Sequence, residues 1–287
     1  MRKFVSYLVL CFVLLASLSA LSADKTTLEE LLKRHLESIG SSDARSAAQG
    51  RAASGKFSME VVQGGTGGAD GDAGVISSGK MNKVMMKTDS PRYAGERFWF
   101  TGKRVVAPVS DVSARTYLAD FIYHNESILR DGLFSGTIST SWALLDMNGR
   151  GAKLSYDGIK NIDGQDLHQV TYIPKKSAGE LEVRLYFDPE TFRHVMTRYR
   201  YEVAPYMNVA PGRVDRQATT QNSSKMIYNI EEKFSDFKTT DGVTLPTVWD
   251  IKYSVEPVKT ILMHWKVNLT RFTSNPNVDL KAIFPEN

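Results

Sequence analysis

The sequence is nearly free of cysteine: of 287 residues only Cys11 carries a thiol. Cys11 sits inside the apolar run Phe4–Leu18, behind Arg2 and Lys3 and ahead of the small residues Ser17, Ser19, Ala20, Ser22 and Ala23. That order of charge, apolar stretch and small residues is the pattern of a secretory signal peptide, with cleavage expected between Ser19 and Ala23. The run falls short of the ~20 apolar residues a spanning helix needs. Leu8-Val9-Leu10 before Cys11 argues against a lipid-attachment signal, so the cysteine is expected to leave with residues 1–23. The remaining 24–287 would then have no disulfide and no thiolate metal site.

Other absences narrow the function. No second stretch is long and apolar enough to cross a bilayer. The formal charge is only +4, with acids and bases interspersed, so there is no basic stripe for nucleic acid. Glycines from Gly64 to Gly74 are followed by no Gly-Lys-Ser/Thr, and their spacing does not fit a dinucleotide fingerprint. Asp70-Gly71-Asp72 lacks the remaining oxygen ligands of a calcium loop. These features leave the segment as a connection between strands. The five histidines, His35, His124, His168, His194 and His264, have no zinc-ligand spacing and read as structural. No Gly-x-Ser-x-Gly elbow is present. The sequence is read as that of a non-enzymatic protein with no cofactor and no metal.

What is present is periodicity. Thr27 and Glu30 have capping-box spacing, and Leu28, Leu31, Leu32, His35, Leu36 and Ile39 recur every three or four residues. This predicts a helix over 28–39, ended by Gly40 in a left-handed cap, then a weaker helix over 43–49. From Ala52 the period becomes two, with Phe57, Met59 and Val61 on one face. Tyr93–Phe100 and Arg104–Val109 read as further strands. Over 113–145 helical spacing returns in Tyr117, Leu118, Phe121, Ile122, Ile128 and Leu129, with Trp142 in an apolar stretch behind them. Beyond Arg150 a meander follows: Leu181, Val183, Leu185 and Phe187 alternate with polar residues, as do Ile261, Met263, Trp265, Val267 and Leu269. Tyr228, Ile230, Glu232 and Phe234 share a third such face. Asn148-Gly149, Asp163-Gly164 and Asp241-Gly242 read as hairpin turns, and Asp188-Pro189-Glu190-Thr191 as another. Pro205–Gln221 reads as a loop.

Residues 24–287 are therefore expected to form one mainly β (α+β) domain, with about ten or eleven strands in an antiparallel sheet and a helical insertion at 113–145. The four tryptophans and many other aromatics suit an ordinary core. With an amphipathic helix they also suit a curved sheet whose apolar concave face is covered, a shape that can bind a hydrophobic ligand.

Three stretches carry a resemblance. "TLEELLKRHLESIGSSDARSAAQGRAASG" (Thr27–Gly55), "LYFDPETF" (Leu185–Phe192) and "EKFSDFKTTDGVTLPTVWD" (Glu232–Asp250) are similar to the helical opening and later hairpins of bacterial outer-membrane lipoprotein-sorting proteins, the LolA/LolB-type carriers. The resemblance covers about half the chain. It implies an incomplete antiparallel β-barrel, or half-barrel, closed by helices, holding acyl chains in an apolar cavity in the periplasm. It also implies a monomeric carrier of lipid or lipoprotein acyl chains, with envelope proteins as further partners. The expected cavity lining is Leu32, Leu36, Phe57, Met59, Leu118, Phe121, Ile122, Trp142, Leu185, Phe187 and Trp249, with the 28–39 and 117–129 helices as lid. The competing reading is an envelope protein-interaction or sensor module whose interior is filled by its own side chains; a secreted hydrolase is the third. If the signal reading holds, the intact mass of the exported protein will lack residues 1 through a position between 19 and 23. A retained Arg2–Leu18 would overturn it.

Overall fold

The computed structural model describes residues 26–109, 114–175, 181–203, 225–256 and 261–286. The expected signal segment 1–23, Ser113 and the expected loop Pro205–Gln221 lie outside the described residues.

The first helix, α1 (Leu28–Ile39), forms where the periodicity places it. Thr27 Oγ1 accepts from the Glu30 amide at 3.1 Å, and Glu29 and Glu30 lie where the helix dipole favours negative charge. Leu31, His35 and Ile39 form its buried face. Gly40 ends it, but not in a left-handed cap: its backbone is at φ 150°, ψ 175°. The chain must pass tightly over the hairpin at Gly242, where a Cβ on Gly40 would stand 2.4 Å from the Gly242 carbonyl oxygen. A short α2 (Ser42–Ala47) follows, capped by Ser41.

Twelve described strands make one sheet: β1 (Gly50–Gln63), β2 (Gly68–Ser78), β3 (Met81–Lys87), β4 (Glu96–Phe100), β5 (Val105–Val106), β6 (Lys153–Ile162), β7 (Gln165–Ile173), β8 (Leu181–Phe187), β9 (His194–Val203), β10 (Met226–Thr240), β11 (Val243–Glu256) and β12 (Ile261–Ser274). Their order is β5-β4-β3-β2-β1-β12-β11-β10-β9-β8-β7-β6, and the pairings along it are antiparallel. Every neighbour is thus a chain neighbour except at one seam, where the first strand pairs with the last. The two free edges, β5 and β6, are consecutive in the chain. The sheet is therefore a barrel opened at that one place, as the half-barrel expectation requires. The residues that would close it instead form α3 (Tyr117–His124), α4 (Ser127–Arg130), two 3₁₀ turns (Gly136–Ile138 and Ala143–Leu145) and α5 (Met147–Arg150). A last helix, α6 (Leu280–Ile283), follows the sheet.

The period-two stretches sit as their alternation demands. Leu181, Val183, Leu185 and Phe187 are buried, as are Ile261, Met263, Trp265, Val267 and Leu269. Asp163 and Gly164 (φ 54° and 85°) and Asp241 and Gly242 (φ 51° and 75°) make the two-residue hairpin loops their sequence announces.

Two expectations are corrected. Much of the glycine-rich 64–74 stretch is not a connection but the first half of β2. Glycine is required there because Phe57 packs across it: a Cβ on Gly71 would fall 2.0 Å from the Lys87 carbonyl oxygen and 2.8 Å from the Phe57 ring. Asn148-Gly149 is not a hairpin turn but lies in α5, whose Asp146 side chain accepts from the Gly149 amide. Counting β2 and the two-residue β5, the described sheet has twelve strands rather than ten or eleven.

The seam leaves little room for change. Gly55 marks a register shift between β1 and β12, and a Cβ there would stand 1.9 Å from the Asn268 carbonyl oxygen. Gly55→Ala is therefore expected to cost about 2–4 kcal/mol of stability in urea unfolding. A loss under ~0.5 kcal/mol would show that the seam can shift.

Candidate functional site

The concave face of the sheet is built from the inward residues of every long strand. Over the β9–β11 part of it lies the 127–145 stretch, and this stretch is core rather than cover. Ile128, Leu129, Leu133, Trp142 and Ala143 are fully buried, and Phe134 and Ile138 nearly so. The Phe134 ring packs edge-on against Phe98 and Trp249, with centroids 5.4 and 5.3 Å away.

Such a stretch carries backbone polar groups into an apolar interior, where each needs a partner. The sheet supplies them. The Glu232 carboxylate on β10 accepts from the Ser135 amide at 2.8 Å, from Trp249 Nε1 at 2.9 Å and from the Tyr199 hydroxyl at 2.7 Å. Asn82 on β3 donates to the Leu129 carbonyl (2.9 Å), and Arg51 on β1 to those of Thr137 and Ile138 (2.9 and 3.3 Å). Ser77 Oγ on β2 accepts from the Thr140 amide and hydroxyl, both at 2.9 Å. Tyr172 on β7 donates to Asp131 at 3.2 Å. Tethers from five strands thus converge on one inserted segment.

The helix α1 adds a sixth. His35, fully buried, has Nδ1 3.0 Å from the Phe192 carbonyl oxygen, and its Nε2 lies 3.0 Å from Trp142 Nε1. A carbonyl can only accept and an indole N–H can only donate, so the ring is the neutral Nδ1–H tautomer. Burial holds its pKa down to about 4. His194 stacks on Trp142 with centroids 4.5 Å apart, and burial together with the nearby His35 keeps it neutral as well. Both histidines are buried in the core and hydrogen-bonded within it. Among the described residues no group of three or more His, Cys, Asp or Glu side chains is placed to hold a metal ion.

All eleven residues expected to line a cavity belong to this one core. Phe57, Met59, Leu118, Phe121, Ile122, Trp142, Leu185, Phe187 and Trp249 are buried, while Leu32 and Leu36 pack against them partly exposed. Of these, Met59 also borders open space, and Leu36 and Trp142 border a second cleft described below.

The open space beside Met59 is a groove of about 800 Å³ at one end of β1 and β12. Met59, Val61 and Met263 form its floor, and Tyr93 and Tyr117 are among its walls. Tyr117, at the start of α3, is half-exposed and stacks on Tyr253 (centroids 5.8 Å). A buried carboxyl fixes both walls. Glu96, 1 % exposed, accepts from the Tyr93 hydroxyl at 2.7 Å and from Thr116 Oγ1 at 2.5 Å, and Thr116 caps α3. Trp265 Nε1 in turn donates to the Tyr93 oxygen at 2.7 Å. Burial pushes the Glu96 carboxyl up to about 7.

Glu96 and Glu232 were not singled out from sequence as site residues. The available signal was a glutamate on an otherwise apolar face: Glu96 alternates with Phe98 and Phe100, and Glu232 with Ile230 and Phe234.

No family model matches the chain, and no curated protein matches it. Solved structures do. An outer membrane lipoprotein-sorting protein domain from Vibrio parahaemolyticus is 12% identical with a TM-score of 0.47, the match covering 91% of this chain and 98% of that one. A LolA superfamily protein from Nitrosomonas europaea is 12% identical over the same shares, with a TM-score of 0.48. A DUF1329 family protein from Desulfovibrio piger is 9% identical, with a TM-score of 0.42, covering 92% of this chain and 98% of that one. The chain is similar to these proteins in outline, and its own strand pairing carries the description of the fold. Among the described residues no helix is long and apolar enough to cross a membrane.

Glu232 makes the fold pH-sensitive. Burial raises its carboxyl to about 8, against the lowering effect of its three donors. The folded protein keeps this proton where the unfolded chain has already released it, so the Glu232 contribution to stability is fully present at low pH and is lost as pH rises through about 8. His35 and His194 act oppositely, below their ordinary value of 6.5. Between pH 7 and 8 the Glu232 contribution should fall by about 1 kcal/mol of unfolding free energy, on top of a smaller loss of the same sign from Glu96. Glu232→Gln, which keeps the geometry without the charge, should flatten that slope in urea titrations. An unchanged slope would refute the assignment.

Proposed function

We propose that the protein is a carrier or binding protein for a hydrophobic ligand, and that the ligand enters at the groove beside Met59 and Met263. The observation that carries this reading is the groove itself: about 800 Å³ of open space floored by two methionines and a valine and walled by two tyrosines. Its volume falls in the range of sites that enclose small molecules. Methionine adapts its shape to irregular apolar partners, and burial of a chain's methylenes yields about 0.8 kcal/mol each. A single acyl chain is the ligand this chemistry suits. The reading agrees with the resemblance of the helical opening and later hairpins to lipoprotein carriers, and it places the ligand at the mouth of the concavity because 127–145 already occupies the interior. A periplasmic setting follows from the signal reading taken together with that resemblance.

That occupied interior is also the observation that favours the second reading, an envelope protein-interaction module. The free edge at β6 is poorly suited to adding a partner's strand: it bears Lys153 and Lys160 and a bulge between Tyr156 and Gly158, devices that discourage edge pairing.

Binding of a fluorescent fatty-acid probe separates the two. Val61→Lys and Tyr117→Ala, both at partly or well exposed positions, should weaken the probe about tenfold or more while leaving the circular dichroism spectrum unchanged. Native mass spectra of gently purified protein should show co-isolated lipid. Absence of both lipid and probe affinity would sink the carrier reading and leave the module.

A further inference from the structure

At the other end of β1, roughly 26 Å from Met59 by strand rise, lies a cleft of about 440 Å³ between α1–α2 and the 137–150 stretch. Its lining is unlike that of the groove. Arg45, Arg51, Lys80 and Arg150 contribute four positive charges, and Asp146 is the only carboxylate among the lining residues. Lys80 and Asp146 pair with each other at 3.3 Å, both well exposed. The three arginines remain.

Two of them are buried. Arg51 is 4 % exposed and Arg150 is 9 % exposed. Arg51 donates to the carbonyls of Thr137 and Ile138, and Arg150 to those of Arg130 and Ser141. Carbonyls satisfy N–H groups but do not neutralise a charge. No ion pair joins either guanidinium to a carboxylate among the described residues, and the Nε of each has no hydrogen-bond partner; Asp131 and Asp146 act on the Arg150 charge from a distance, whereas burial alone acts on Arg51. Arg45, partly exposed, donates to the Leu36 and Gly40 carbonyls at the end of α1 and forms no ion pair among the described residues. For Arg51 in particular, a buried charge without a counter-charge is costly, and folded proteins pair such groups. The cost is visible here: burial alone brings the Arg51 guanidinium down to about 10.

We propose that this cleft is a binding site for a phosphate-bearing oxyanion, with Arg51 and Arg150 at its base and Arg45 and Lys80 beside them. Guanidinium forks match phosphate oxygens, and several donors approaching from different elements suit a tetrahedral anion better than a planar one. The volume exceeds what one phosphate needs, so the group can arrive free or on a larger molecule such as a phospholipid headgroup. The inference is independent of the hydrophobic groove, with which the cleft shares no lining residue.

The test avoids the arginines, whose loss would also release the 137–141 backbone. Lys80→Gln removes a cleft cation at an exposed position. Asp146→Asn removes the lone anion, and asparagine can still cap α5. Inorganic phosphate is titrated calorimetrically into the full exported chain at fixed ionic strength, with chloride as control. In parallel, vesicles of phosphatidylglycerol with phosphatidylcholine are compared with phosphatidylcholine alone. Lys80→Gln should weaken binding roughly threefold to tenfold, and Asp146→Asn should tighten it by a similar factor. Saturable phosphate binding with those opposite shifts supports the site with a soluble ligand. Binding confined to phosphatidylglycerol vesicles with the same shifts supports it with a headgroup. Binding of neither, or binding that ignores both substitutions, overturns it.

Discussion

The structure depends on how an open barrel keeps water from its apolar concave face. The chain solves this with its own 127–145 segment, placed against the sheet and fixed at Ser135 by the Glu232 carboxyl. Without that segment, Trp249, Phe98 and their neighbours would face solvent, at ~25 cal/mol for each Å² exposed. With it, a dozen strands and a handful of helical turns share one core. The tethers from Arg51, Asn82, Ser77, Tyr172 and His35 serve the same end, because an irregular backbone can be buried only where its polar groups are met. Such networks are strong when complete and costly when broken. The segment is therefore best regarded as part of the barrel wall turned inward.

That arrangement divides the molecule along β1. At one end Met59 and Val61 open on an apolar groove; at the other Arg51 sits under a cationic cleft. The middle of the strand, Ala53 and Phe57, is packed against neighbours. The two openings differ in their linings, methionines and tyrosines prominent in one and four cations in the other, and core lies between them.

Much of this was legible in the sequence, and the parts that were not share a cause. Local rules located α1 from Thr27 and the 3–4 spacing, and the hairpins from Asp163-Gly164 and Asp241-Gly242. Alternation gave the correct inward face for β8 and β12. These signals are written within a few residues of the element they specify. The errors arose where a distant partner decides. Gly71 is a strand residue because Phe57, fourteen positions away, needs its missing side chain. Gly40 is extended because the Gly242 hairpin passes beneath it. Asn148-Gly149 has hairpin chemistry but is captured by the Asp146 cap. The apolar character of 133–145 was plain, yet nothing local said whether it would cover the sheet or fill it. Glu96 and Glu232 broke the apolar alternation, and a polar residue on such a face marks a tether.

The seam between β1 and β12 has a consequence for the order of folding. Residues 50–63 find their hydrogen-bonding partner only in residues 261–274, so the sheet has no complete centre until nearly the whole chain is available. Pairings of such long sequence separation are slow to form. A nascent chain of this design stays unfinished for most of its synthesis. A chain that cannot close its sheet early remains threadable for longer.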